Sequence, residues 1–137
     1  MEMSTITYFD QVDLIVNADL CDVGAEYFSE PVDLQTDEYQ GAEVLISVAF
    51  QGPDAHCVKF QVFASEDGIT YDDSPGIEFR LPYSITGRTL EILVNGLAYF
   101  KIRCQNTVDP EHNRVSIKAR SWRYCDKGFM SGPLVRD

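Results

Sequence analysis

Four oxygen-bearing side chains, Ser65, Asp67, Asp72 and Asp73, fall within nine residues of this 137-residue chain. Hard cations such as calcium are held by carboxylates, carbonyls and hydroxyls, so this set is a candidate cation site. The same string is also the pattern of a tight turn. Asp67 can accept hydrogen bonds from amides two and three residues on, and Gly68 can take the positive φ that a turn requires. The spacing differs from that of an EF-hand loop, whose glycine and distal glutamate stand elsewhere. The turn is therefore the expectation and the cation site its alternative.

A second group is cationic. The runs Ala98–Cys104 and Val115–Trp122 alternate apolar and polar residues, which is the two-residue period of a strand. If the two runs pair, Phe100, Ile102, Val115, Ile117 and Ala119 face one way. Lys101, Arg103, Lys118, Arg120 and Trp122 then form a single basic face on the other side. Trp122 is the chain's one tryptophan and stands beside Arg120 and Arg123. It can anchor an interface, stack on a sugar or pack against Tyr124.

Little else points to chemistry. The four cysteines, Cys21, Cys57, Cys104 and Cys125, contain no C-x-x-C pair, and His56 and His112 complete no zinc-ligand spacing. Their adjacency would put His56 and Cys57 on opposite faces of a strand. Free thiols are expected, disulfide and metal ligation being the alternatives, and a reducing compartment fits them. Asp109-Pro110-Glu111-His112-Asn113 reads as a turn. No nucleophile elbow, zinc-protease motif or phosphate-binding loop is present, so neither catalysis nor a cofactor is expected.

The elements that must position these residues are strands. Val44, Ile46, Val48 and Phe50 share a face, as do Val58, Phe60, Val62 and Ala64, and shorter runs lie at 77–81 and 90–94. Turn markers separate them, including Gly52-Pro53-Asp54, Asp67-Gly68 and Ser74-Pro75-Gly76. Asn95-Gly96, between two apolar runs, predicts a hairpin. The expected fold is an all-β, two-sheet antiparallel sandwich, a single domain with its core at about 42–122. The expected core includes Phe60, Val62, Ile92, Phe100, Ile102, Val115 and Ile117. Extended arms are expected over about 1–38 and 123–137.

Charge divides the chain. Residues 1–96 hold three basic and 18 acidic residues, a net of −15, and residues 97–137 hold eight and four, a net of +4, which together give −11. Such a field disfavours nucleic acid as a partner. No apolar stretch reaches the length of a membrane-spanning helix, and the first residues lack the pattern of a signal peptide. Virion or host cytoplasm is the expected location.

The strings VFASEDGITYDD (62–73) and LAYFKIRCQNT (97–107) resemble the hairpin and strand of galactose-binding-like jelly rolls. They are also similar to small β-sandwich proteins of tailed phages and prophages, of the head-decoration or tail-associated type. The resemblance implies a jelly-roll-like fold. It also implies a non-enzymatic structural protein that associates with itself or with other virion proteins. A carbohydrate-binding module is the alternative, with Trp122, Tyr99 and Tyr124 stacking on sugar.

Overall fold

Alternating apolar residues can be hidden only if a second layer covers them, and two sheets do this for each other. The computed structural model describes residues 5–20, 27–51, 56–107 and 113–125, and within them there are ten strands and no helix. In chain order these are β1 (Thr5–Tyr8), β2 (Val12–Leu20), β3 (Tyr27–Phe28), β4 (Val32–Asp33) and β5 (Gly41–Ala49). They continue with β6 (Cys57–Ser65), β7 (Ile77–Pro82), β8 (Arg88–Asn95), β9 (Tyr99–Asn106) and β10 (Asn113–Cys125).

Sheet A runs β1-β10-β5-β8, with β2 beside β1 along the same edge of β10; sheet B runs β3-β9-β6-β7, with β4 also on β9. All pairings are antiparallel. The chain crosses from one sheet to the other at six of its nine connections, and the resulting strand order makes the sandwich jelly-roll-like.

Between the sheets lie Val44, Ile46, Val115 and Ile117 from sheet A and Val58, Phe60, Val62, Phe100 and Ile102 from sheet B, all fully or almost fully buried. Ile92, expected in this layer, is only half-buried and packs against it, because β8 is an edge strand. One end of the sandwich is closed by polar groups. Asn113 donates to Asn106 at 2.8 Å and contacts buried His56, and Asn106 donates to the Leu20 carbonyl. Those bonds satisfy polar atoms that burial would otherwise make costly.

Three expectations are corrected. Asn95-Gly96 does not close a hairpin: Gly96 takes φ +77°, but β8 pairs with β5 and β9 with β6. A local turn signal cannot report which sheet receives the next strand. The segment at 5–38 is not an arm, since β1 and β2 pair with β10 and β3 and β4 with β9. Its pattern is weak because β2 is an edge strand interrupted by two register shifts, with Asn17 at φ 49° within one of them. Arg123–Cys125 likewise belongs to β10 and pairs with β1. The remainder of the expected C-terminal arm, 126–137, lies outside the described residues, as do Cys21 and His112.

Candidate functional site

The hairpin Ser65–Thr70 is built as a turn. The Asp67 carboxylate accepts the Ile69 and Thr70 amides at 2.8 and 2.9 Å. Ser65 Oγ accepts the Gly68 amide at 2.9 Å and donates to the Thr70 carbonyl at 2.6 Å. Gly68 has φ +78°, and a Cβ there would stand 3.0 Å from the Tyr99 ring. The Ile69 amide, then that of Thr70, holds the Asp67 carboxyl below its ordinary range. Asp72 and Asp73 are exposed, and the Asp72 amide donates to the Ala64 carbonyl at 2.9 Å. Among the described residues, no three of His, Cys, Asp or Glu come together as a metal site.

The expected single basic face does not form. Lys101 and Arg103 lie on β9 in sheet B, whereas Lys118, Arg120 and Trp122 lie on β10 in sheet A. Both strands turn their apolar residues into the interlayer core, so the polar residues point away on opposite sides of the molecule. Alternation sets the inward and outward residues of each strand, but β9 and β10 are not neighbours. Tyr99 is separated from Trp122 and Tyr124 in the same way. Trp122 and Tyr124 meet edge to face at 84°, which is not a flat sugar platform.

On sheet A three cations of β10 stand opposite acids of the same chain. Arg120 faces Glu43 in register and pairs with it at 2.7 Å, under the Tyr8 ring at 4.1 Å. That hydrogen bond from Arg120 holds the Glu43 carboxyl below its usual range. Lys118 faces Asp13, and Arg114 faces Asp19 at 3.7 Å.

Sheet B is arranged differently. Lys59 on β6 faces Arg80 on β7 and Gln105 on β9; Gln61 faces Glu78 and Arg103; Phe63 faces Lys101. Buried Gln61 donates to Glu78 at 2.6 Å and accepts from Arg103 Nε at 2.8 Å, linking three strands. Arg103 also lies over the Phe63 and Phe28 rings. The Lys101 ammonium sits 4.5 Å from the Phe28 ring centre and 4.4 Å from that of Tyr71. Among the described residues Lys59, Arg80 and Lys101 form no ion pair within 4.0 Å.

A cleft of about 410 Å³ opens on this face, lined by Phe28, Phe63, Tyr71 and Ile69, with Lys101 and Arg103 and with Asp72 and Asp73. The fold thus brings half of the expected basic residues beside half of the expected cation-site residues. Lys59, Arg80, Gln61, Phe28, Phe63 and Tyr71 were not foreseen as members. The alternation Lys59-Phe60-Gln61-Val62-Phe63 signalled that Lys59, Gln61 and Phe63 share a face. Their meeting with Arg80 and Phe28 depends on strand register.

Cys57 Sγ lies 3.8 Å from Arg80 Nη1 on this face, whereas Cys104 is turned into the core. Cys57 and Cys104 are free, and burial pushes the Cys104 thiol up to about 12, so it behaves as an apolar side chain. No protein-family model and no curated protein sequence matches the chain.

Proposed function

We propose that this protein is a non-enzymatic assembly component that docks an acidic protein surface on the outer face of sheet B. Following the resemblance carried by residues 62–73 and 97–107, we propose further that it is a virion protein of a tailed phage or prophage, of decoration or tail-associated type. The observation that carries the docking reading is the arrangement of Lys59, Arg80 and Lys101. Lys59 and Arg80 stand directly across a strand pair, an unfavourable placement for like charges, on a chain whose net charge is −11. With so many carboxylates available, neutralising them internally would take one acidic residue in the opposing strand, as sheet A does. Here the acid of the opposing strand, Glu78, stands across from Gln61 and leaves Lys59 across from Arg80. Such a pair, with aromatic rings beside it, suits a partner that supplies carboxylates.

The fold does not choose the function, since jelly-roll sandwiches serve capsids and lectins alike. The test is light scattering on eluting protein at low and high salt. Assembly that weakens as salt rises, and that is lost in the Lys59→Glu/Arg80→Glu variant but kept in Lys118→Glu, supports the reading, because exposed charge contacts are screened. Assembly indifferent to both salt and the sheet B variant would overturn it. Salt-independent retention on immobilised glycans by a monomer would favour the carbohydrate module instead.

A further inference from the structure

The outer face of sheet B is polar along its length in a self-complementary way. Lys59 and Arg80 mark one end of it, near Cys57, while the acidic hairpin with Asp72 and Asp73 marks the other, beyond Ser65. Along β6 the two ends are six residues, about 20 Å, apart. Between them stand Gln61, Glu78 and Arg103, with Phe63 and Phe28, the latter 44% exposed, beside them, while Ile69, 84% exposed, belongs to the acidic hairpin.

A second copy turned by a two-fold axis lying in the interface and crossing the strands near Gln61 reverses this order. Its acidic hairpin then covers Lys59 and Arg80, its own Lys59 and Arg80 meet the first copy's hairpin, and the row of Arg103, Gln61 and Glu78 lies at the axis. Such a contact is isologous and closes at two subunits. Arg80 lies on β7, and the hairpin leads into β7, so both halves of each contact lie toward the same lateral edge of the sheet. An axis across the strands preserves that side.

We propose that the partner of this face is a second copy of the same chain, paired through two symmetric contacts between Lys59 and Arg80 of one copy and Asp72 and Asp73 of the other. This rests on the docking reading above and names its partner. The Asp67 carboxylate is occupied by its own turn, whereas Asp72 and Asp73 are exposed at the cleft's rim, so they are the carboxylates presented.

The experiment is a charge swap read by light scattering at low salt. Lys59→Glu/Arg80→Glu and Asp72→Lys/Asp73→Lys should each be monomeric, with self-affinity weakened about tenfold or more, because each places like charges at both contacts. Mixed in equal amounts, the two variants should restore a particle of two subunits, since every contact is then attractive. A misfolded variant could not be rescued in this way. If the aspartate variant assembles like the wild type while the Lys59/Arg80 variant does not, the self-pairing is overturned and the docking reading stands. A mixture that stays monomeric, or that grows into open assemblies, also overturns the two-fold pairing. A wild type monomeric at low salt would overturn self-association altogether.

Discussion

The outer faces of the two sheets use similar residues to different ends. On sheet A, Arg114, Lys118 and Arg120 face Asp19, Asp13 and Glu43 across strand pairs, and Arg120 adds a tyrosine ring to its carboxylate. On sheet B, Lys59 faces Arg80, Arg103 faces an amide, and Lys101 lies between aromatic rings. Cation–aromatic contacts and amide hydrogen bonds orient a positive group without cancelling its charge. Arg114, Lys118 and Arg120 of sheet A therefore stand across from carboxylates of the same chain, whereas Lys59 and Lys101 of sheet B do not. The difference lies in which residue stands opposite, not in how many cations each face carries.

Both faces rest on one core, so breaking that core should abolish the comparison altogether. Ile102→Ala beneath the sheet B face and Ile117→Ala beneath the sheet A face each remove a fully buried side chain. Each should cost ~2–5 kcal/mol in chemical denaturation. An unchanged unfolding midpoint in either would mean that its strand is out of phase.

A smaller effect is expected at the hairpin that supplies the acidic end of sheet B. Gly68→Ala places a Cβ at a positive φ and against the Tyr99 ring, and should cost about 1 kcal/mol or more. Adding calcium or EDTA should leave the melting temperature of the wild type where it was. A calcium-dependent rise abolished by Asp67→Ala and Asp72→Ala would restore the cation reading of this segment.

The comparison is sharpened most directly by single charge reversals. Lys59→Glu puts an acid opposite Arg80 and should stabilise the isolated fold by roughly 0.2–1 kcal/mol while weakening assembly. Arg120→Glu puts two acids opposite each other at Glu43 and should lower the melting temperature. Equal and same-signed effects on stability at the two sites would erase the distinction between the faces.

The smallest effect is one of pH. The folded-state carboxyls of Glu43 and Asp67 lie below their ordinary values of 4.5 and 3.8, the first through Arg120 and the second through the Ile69 and Thr70 amides. Groups with lowered folded values contribute stability that is complete above the ordinary value and is lost as pH falls through the folded one. Melting temperature should therefore fall on acidification below about pH 4.5, and less steeply in Glu43→Gln. A steeper fall in that variant would assign the acid dependence elsewhere.

Much of this was legible in the residues. Alternation in 43–50, 58–64, 98–104 and 115–122 fixed which side chains turn inward, because successive strand residues must point to opposite faces. Asp67-Gly68 announced its own turn, because a carboxylate that reaches the next amides and a residue free to adopt positive φ are local properties. The acidic first 96 residues and basic remainder could be counted without any structure. Sequence alone could not say that 98–104 and 115–122 belong to different sheets, that β2 was hidden in an irregular acidic stretch, or that Lys59 meets Arg80. Strand partners are chosen by the burial of a whole layer and by the connections that make it possible, and those are properties of the assembled sandwich. The chain determined each residue's inward or outward direction. Only the tertiary structure decided which outward residues share a face, and hence that Lys59 meets Arg80 while Arg120 meets Glu43.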